Sequence, residues 1–154
     1  MRNRLRFGEW LTLSSGLALF GFLFLDWFGA HGGAGVSGWD SLGWLALALC
    51  VLAIAAGVAL PFVFGLSEGP VLSLATAIVA MLAAGLAVIA LLVQVVFQPG
   101  PDALVDVLSG WWLGLLAAAG IARGGFLSLR DEYLPGVPIP DVPVRPAPPA
   151  SPAA

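Results

Sequence analysis

WLTLSSGLALFGFLFLDWF, residues 10–28, is the stretch whose reading decides the fold. It carries one charge, Asp26, near its far end, and Arg2, Arg4 and Arg6 stand just before it. At 1.5 Å per residue a helix of this length measures about 29 Å, close to the roughly 30 Å hydrocarbon core of a bilayer. The run is longer than the apolar core of a secretory signal. Bulky Trp27 and Phe28 also stand where a cleavage site needs small residues, so it is expected to remain as a membrane helix.

Working outward, the sequence predicts further helices over 42–64, 71–97 and 109–129. GAHGGAGVSGWDS, residues 29–41, has five glycines and no periodicity and is expected as an irregular loop. Asp40 or Ser41 is expected to cap the second helix, and Pro61 falls near its end. GLSEGP, residues 65–70, is a tight connection in which Ser67 or Glu68 caps and Pro70 takes the first helical turn. QPGP, residues 98–101, breaks the chain again. Residues 102–108 are expected as a short interfacial helix or the first turns of helix four. The expected fold is all-α, a transmembrane four-helix bundle over residues 10–130. A basic arm at 1–9 precedes it, and a Pro-rich disordered tail at 131–154 follows.

Composition agrees with a lipid environment. Of the 154 residues 60% are hydrophobic and 10% charged, where a soluble globule has about a quarter charged. The mean hydropathy is +1.00. A net charge of -3 with six cations gives no footprint for nucleic acid. Lysine is absent while Ala, Gly, Pro and Arg abound, the bias of a high-GC bacterial genome. A single cysteine, Cys50, excludes an intrachain disulfide and reads as a small core residue.

Charge also orients the four spans. Arg2, Arg4, Arg6, Arg123, Arg130 and Arg145 all fall at or beyond one end of the spans. The opposite segments hold Asp26, Asp40, Asp102 and Asp106 and no arginine. The positive-inside rule then places both termini in the cytoplasm and the protein in the cell membrane. Trp27, Trp39, Trp44, Trp111 and Trp112 gather near the outer boundary, where amphipathic rings are expected to meet the headgroups. Residues 16–28 align with 85–97, and 43–45 with 110–113, an echo that Leu- and Ala-rich helices also produce by chance.

Helices in lipid associate through small residues that let backbones approach. Gly110, Gly114, Ala118 and Ala122 form a stripe at i+4 spacing, expected to pack within the chain, with a homodimer face as the alternative. Ala46, Cys50, Ala53 and Gly57 offer a second such face, and Ala77, Ala80, Ala84 and Ala87 a third.

Asp26 is the acid most embedded in an apolar run. Burial in lipid would cost up to about 3 kcal/mol, so it is expected at the outer surface, with proton or ion binding as the functional alternative. His31 with Asp26, Asp40, Asp102 and Asp106 has the chemistry of a divalent-metal or hydrolytic site. The spacing fits no metal motif, however, and solvated loop acids explain the same residues. Arg123 is expected to extend to the inner headgroups or pair with Glu9 or Glu68. With Arg2, Arg4, Arg6 and Arg130 it forms a set of candidate contacts to anionic lipid. Residues 135–154 hold eight of the twelve prolines. Within them Pro140, Pro143 and Arg145 fit the PxxPxR pattern of SH3-type ligands, which a proline-rich tail also produces without a partner.

Arg6, Gly8, Glu9, Trp10 and Leu11, followed by Leu23, Leu25, Trp27 and Phe28, resemble the opening of small four-span membrane proteins of actinobacteria. Asp26 stands where that pattern has proline. The resemblance covers the first helix and implies a topology and no reaction. No catalytic motif, nucleotide-binding loop or cofactor fingerprint is present. The expected role is therefore non-enzymatic and without cofactor: a structural or accessory component whose partners are membrane lipids, further copies of itself or other membrane proteins. The alternative is a small oligomeric transporter or channel with its path between protomers. For that path the chain offers Ser14, Ser15, Ser73, Thr76 and Gln94.

Overall fold

The computed structural model describes residues 7–30, 33–66, 70–97 and 105–133. Eight elements follow in order: α1 (Phe7–Phe22), β1 (Asp26–Ala30), β2 (Gly35–Ser37), α2 (Gly38–Ser41), α3 (Trp44–Leu66), α4 (Pro70–Val96), β3 (Val105–Val107) and α5 (Ser109–Tyr133). Three of the helices are long and apolar enough to cross a membrane, over Trp44–Val63, Leu74–Val96 and Ser109–Arg130.

The helices meet through small side chains. Ala46, Cys50, Ala53 and Leu60 are buried along α3, Ala77, Ala80, Ala84, Ala87 and Leu91 along α4, and Ala117, Ala118 and Ile121 along α5. Along α4 these positions recur at alternating steps of three and four, the spacing that keeps one helical face toward its neighbours. On α1 the buried positions are Gly8, Glu9, Thr12, Gly16 and Leu19. Accordingly α1 packs on α5 and α3, and α4 packs on the same two helices. Many of the large apolar side chains point the other way: Leu17 and Phe20 on α1, Leu52 and Phe62 on α3, Leu82 and Leu86 on α4, and Leu116 on α5 are all exposed.

The first helix departs from the reading of residues 10–28. It begins at Phe7, ends at Phe22 and has 16 residues, about 24 Å, short of the bilayer core. Beyond Phe22 the ladder tightens to three-residue bonds, from the Phe24 amide to the Gly21 carbonyl and from the Leu25 amide to the Phe22 carbonyl. The chain then turns so that the Trp27 indole N–H donates to the Phe22 carbonyl at 2.7 Å. Trp27 is fully buried. The Phe22 carbonyl, which already accepts from the Leu25 amide, thus takes a second donor from a side chain five residues on.

The chain is mostly helical, as expected, but the turn adds a small three-stranded antiparallel sheet in the order β2-β1-β3 that an all-α reading lacks. Phe28 pairs with Val36 on one side and Val107 on the other, and Ala30 pairs with Val105. The glycine-rich loop therefore contains a strand and the helical turn α2, and the expected interfacial helix at 102–108 contains a strand where it is described. Both strands present β-branched valines to β1, which favours the pleated form. Neither Asp40 nor Ser41 caps the next helix. Gly43 does so, its carbonyl accepting from the Leu47 amide. The echo between 16–28 and 85–97 does not extend to conformation, because α4 stays helical to Val96 while its counterpart leaves the helix after Phe22. The connections at 67–69 and 98–101, with Ser67 and Glu68, and the tail beyond 133, with its PxxPxR pattern, lie outside the described residues.

Replacing Trp27 by Ala is expected to destabilise the protein by about 3–5 kcal/mol. The same change at Trp44, which is 81% exposed, is expected to cost less than about 1 kcal/mol. Denaturant unfolding of the two variants in detergent micelles measures the difference.

Candidate functional site

At the end of the molecule away from Arg123 and Arg130, Trp27 lies in a cradle of three glycines. A Cβ added at Gly38 would meet Trp27 Cε2 at 2.8 Å, at Gly110 it would meet Cδ1 at 2.8 Å, and at Gly114 it would meet Cζ2 at 2.5 Å. No side chain fits between the indole and α2 or α5, so these backbones hold the ring directly. The Leu108 amide completes the join by donating to the Trp27 carbonyl at 2.9 Å.

Toward the opposite end α5 touches α1, again through glycine. A Cβ on Gly124 would come within 2.6 Å of Thr12 Cγ2 and 2.8 Å of the Gly8 carbonyl, and a Cβ on Gly8 within 2.7 Å of Ser128 Oγ. Gly120 lies against Ser15. The hydroxyls at this seam are satisfied within their own helices, Thr12 by the Gly8 and Glu9 carbonyls and Ser128 by that of Gly124. Of the expected stripe, Gly110 and Gly114 face Trp27, Ala118 is buried, and Ala122 is half-buried at the edge. A strict four-residue step turns about 40° per repeat away from a fixed face of a 3.6-residue helix. The seam accordingly passes to Gly124 and Ser128, which the i+4 rule missed and the alternating three-and-four step finds.

The tryptophans divide. Trp44 and Trp112 are exposed, as rings at a headgroup boundary would be, whereas Trp27 and Trp111 are buried. Trp39 is half-buried beside Phe20 and Phe24, with ring centroids 6.4 and 5.7 Å away.

Asp26 opens β1, is exposed, and has its carboxylate against Gly35. Asp40 is exposed on α2 and accepts from Ser37 Oγ at 2.8 Å. Asp106 is exposed on β3. His31 and Asp102 lie outside the described residues, and among those that are described no three of His, Cys, Asp and Glu are grouped to hold a metal ion. Arg123 and Arg130 are exposed near the end of α5, with the Arg123 guanidinium 5.6 Å from the Phe126 ring centroid. Arg2, Arg4 and Arg6 precede the described residues. Glu9, close by in α1, is buried.

Beneath one face of the sheet is a concavity of about 290 Å³, walled by Phe28, Ala30, Val36 and Val105 and closed on one side by Asp40 and Ser41. Ser41 Oγ is buried without a hydrogen-bond partner, and so is Gln94 Oε1. Gln94 Nε2 donates to the Ser41 carbonyl at 3.0 Å. On α1 Ser14 donates to the carbonyls of Trp10 and Leu11, and on α4 Thr76 donates to that of Leu72.

Comparison with protein-family models, with curated proteins and with solved structures gives no match to this chain.

Gly85 has nothing within 4 Å of an added Cβ, while Gly124 has backbone within 2.8 Å. Gly85→Ala is therefore expected to leave stability unchanged or raise it by up to about 1 kcal/mol through helix propensity. Gly124→Ala is expected to lower it by about 1–3 kcal/mol by forcing α1 from α5. Thermal unfolding of both variants in the same detergent checks the contrast.

Proposed function

We propose that this chain is an integral protein of the bacterial cell membrane, a four-helix bundle that crosses it four times with both termini in the cytoplasm. Its role is non-enzymatic: a structural or accessory component that packs with other membrane proteins or with itself. The observation that supports this reading is that most buried positions of α3, α4 and α5 are Ala or Gly, Leu60, Leu91, Trp111 and Ile121 being among the exceptions, while most of the large Leu, Ile, Val and Phe side chains are exposed. A water-soluble bundle reverses that division, whereas a bundle in lipid gains nothing from hiding large apolar groups and associates through close backbone approach.

The fourth crossing is α1 with the turn that follows it. Phe24 and Leu25 are exposed and extend its apolar surface beyond Phe22. Local thinning of the bilayer accommodates a short helix at a fraction of a kcal/mol per Å. Orientation rests on charge, since no Arg or Lys stands between Arg6 and Arg123. Exposed Arg123 and Arg130 supply contacts to anionic headgroups, and Arg2, Arg4 and Arg6 are assigned the same role from the sequence.

Reporter tags at the two ends, read in intact cells, test the topology. Both are expected on the cytoplasmic side. Tags on opposite faces would leave α3, α4 and α5 as the only spans and remove α1 from the membrane.

A further inference from the structure

Among the described residues nothing pairs with the β3 edge of the sheet. In an antiparallel pair, residues alternate between those that bond to the facing strand and those whose N–H and C=O point the other way. The Leu108 amide donates to the Trp27 carbonyl, and the register sets Phe28 opposite Val107, Gly29 opposite Asp106 and Ala30 opposite Val105. Trp27 with Leu108 and Gly29 with Asp106 are therefore the bonded pairs. The N–H and C=O groups of Val105 and Val107 point away from β1, and among the described residues no backbone group takes them. Their side chains pack against the core, which holds the strand in place, and its main neighbour is β1. The other edge is less open, because Ser37 at the end of β2 is the N-cap of α2 and gives its carbonyl to that turn.

An unpaired row of this kind is a template for one more strand. Charge decides which strand. A second copy of the chain would pair about a two-fold axis at Asp106 and set that carboxylate opposite itself, with Cβ atoms about 4.5–5.5 Å apart, where like charges destabilise. The described residues at this end add Asp26 and Asp40 and no Arg or Lys, so a segment carrying Lys or Arg is attracted and an acidic one repelled. The positions on either side of that cation lie beside valine side chains and suit apolar residues.

We propose that the β3 edge receives an extended segment of a partner membrane protein as a fourth, antiparallel strand. The segment has the pattern apolar, Lys or Arg, apolar, with its cation opposite Asp106 and its flanking residues bonded to Val105 and Val107. The inference rests on the reading that the chain packs with other membrane proteins. So short an edge holds a free peptide weakly, but a partner anchored in the same membrane meets it at an effective concentration in about the millimolar range.

Amide NMR of valine-labelled full-length protein in uncharged phosphatidylcholine nanodiscs, titrated with the peptide acetyl-Thr-Val-Lys-Val-Thr-amide, tests the proposal. Saturable shifts of the Val105 and Val107 amides are expected, with Val93 on α4 unmoved. A peptide with Glu in place of Lys is expected to bind roughly tenfold more weakly. N-methylation of both peptide valines removes the donors that face β3 and is expected to abolish binding, whereas N-methylation of its lysine, whose amide faces away, is expected to leave it intact. Asp106→Lys, at an exposed position, is expected to invert the preference between the Lys and Glu peptides, and the milder Asp106→Asn to bring the two closer together. Equal binding of the N-methyl-valine peptide would reduce the effect to charge attraction and overturn strand addition. Equal binding of the Lys and Glu peptides, or no saturable shift in the unmodified protein, would overturn it as well. None of these results bears on the topology, which the terminal tags read.

Discussion

The 2.7 Å hydrogen bond from the Trp27 indole to the Phe22 carbonyl is the point from which the rest of the architecture follows. Carbonyls at a helix end must find donors beyond the regular ladder, and that of Phe22 has two, the Leu25 amide and the Trp27 indole. Together the Leu25 amide and the Trp27 indole close the end of α1 at Phe22. Only then do residues 26–30 become the central strand of a sheet that joins the β2 hairpin to the chain before α5. The ring reaches its place because Gly38, Gly110 and Gly114 leave no side chains in its way. A bulky indole and three absent side chains are thus one device.

Glycine is used a second time along the α1–α5 seam, where Gly8, Gly120 and Gly124 bring backbones and hydroxyls into contact. With α1 short, its attachment to α5 depends on closeness rather than length, through dispersion contacts that fall off within an ångström of extra separation. Alanine does the corresponding work between α3 and α4. Apart from Trp27, Trp111 and a few Leu and Ile, most of the bulky apolar residues are left on the outside, an arrangement compatible with apolar surroundings.

The long helices α3, α4 and α5 were legible because uninterrupted apolar runs of this length have few alternatives, and their alanine faces could be read from spacing alone. The end of the first helix was not. Hydropathy scores FLFLDWF alike whether it continues a helix or turns into a strand. What decides is the fit of Trp27 against residues about eighty positions away, which no local window contains. The strands were hidden for the same reason: three to five residues among glycines carry little local preference, and β1 with β3 pairs segments far apart in sequence. Asp26 is exposed, as the expense of burying a carboxylate in lipid leads one to expect. The cavity at Asp40 and Ser41 had no sequence signal, since it exists only once β1, β2 and β3 are side by side.

Fluorescence from a variant retaining Trp27 as its sole tryptophan, the other five changed to Phe, tests the central arrangement most directly. The quenchers are brominated lipid from the bilayer side and iodide from the aqueous side, with a Trp44-only variant as the exposed reference. A ring sealed between Gly38, Gly110 and Gly114 is expected to resist both quenchers while Trp44 responds strongly to the lipid. Quenching of Trp27 by brominated lipid to the same extent as Trp44 would place it on the outside of a continuous helix and contradict the account.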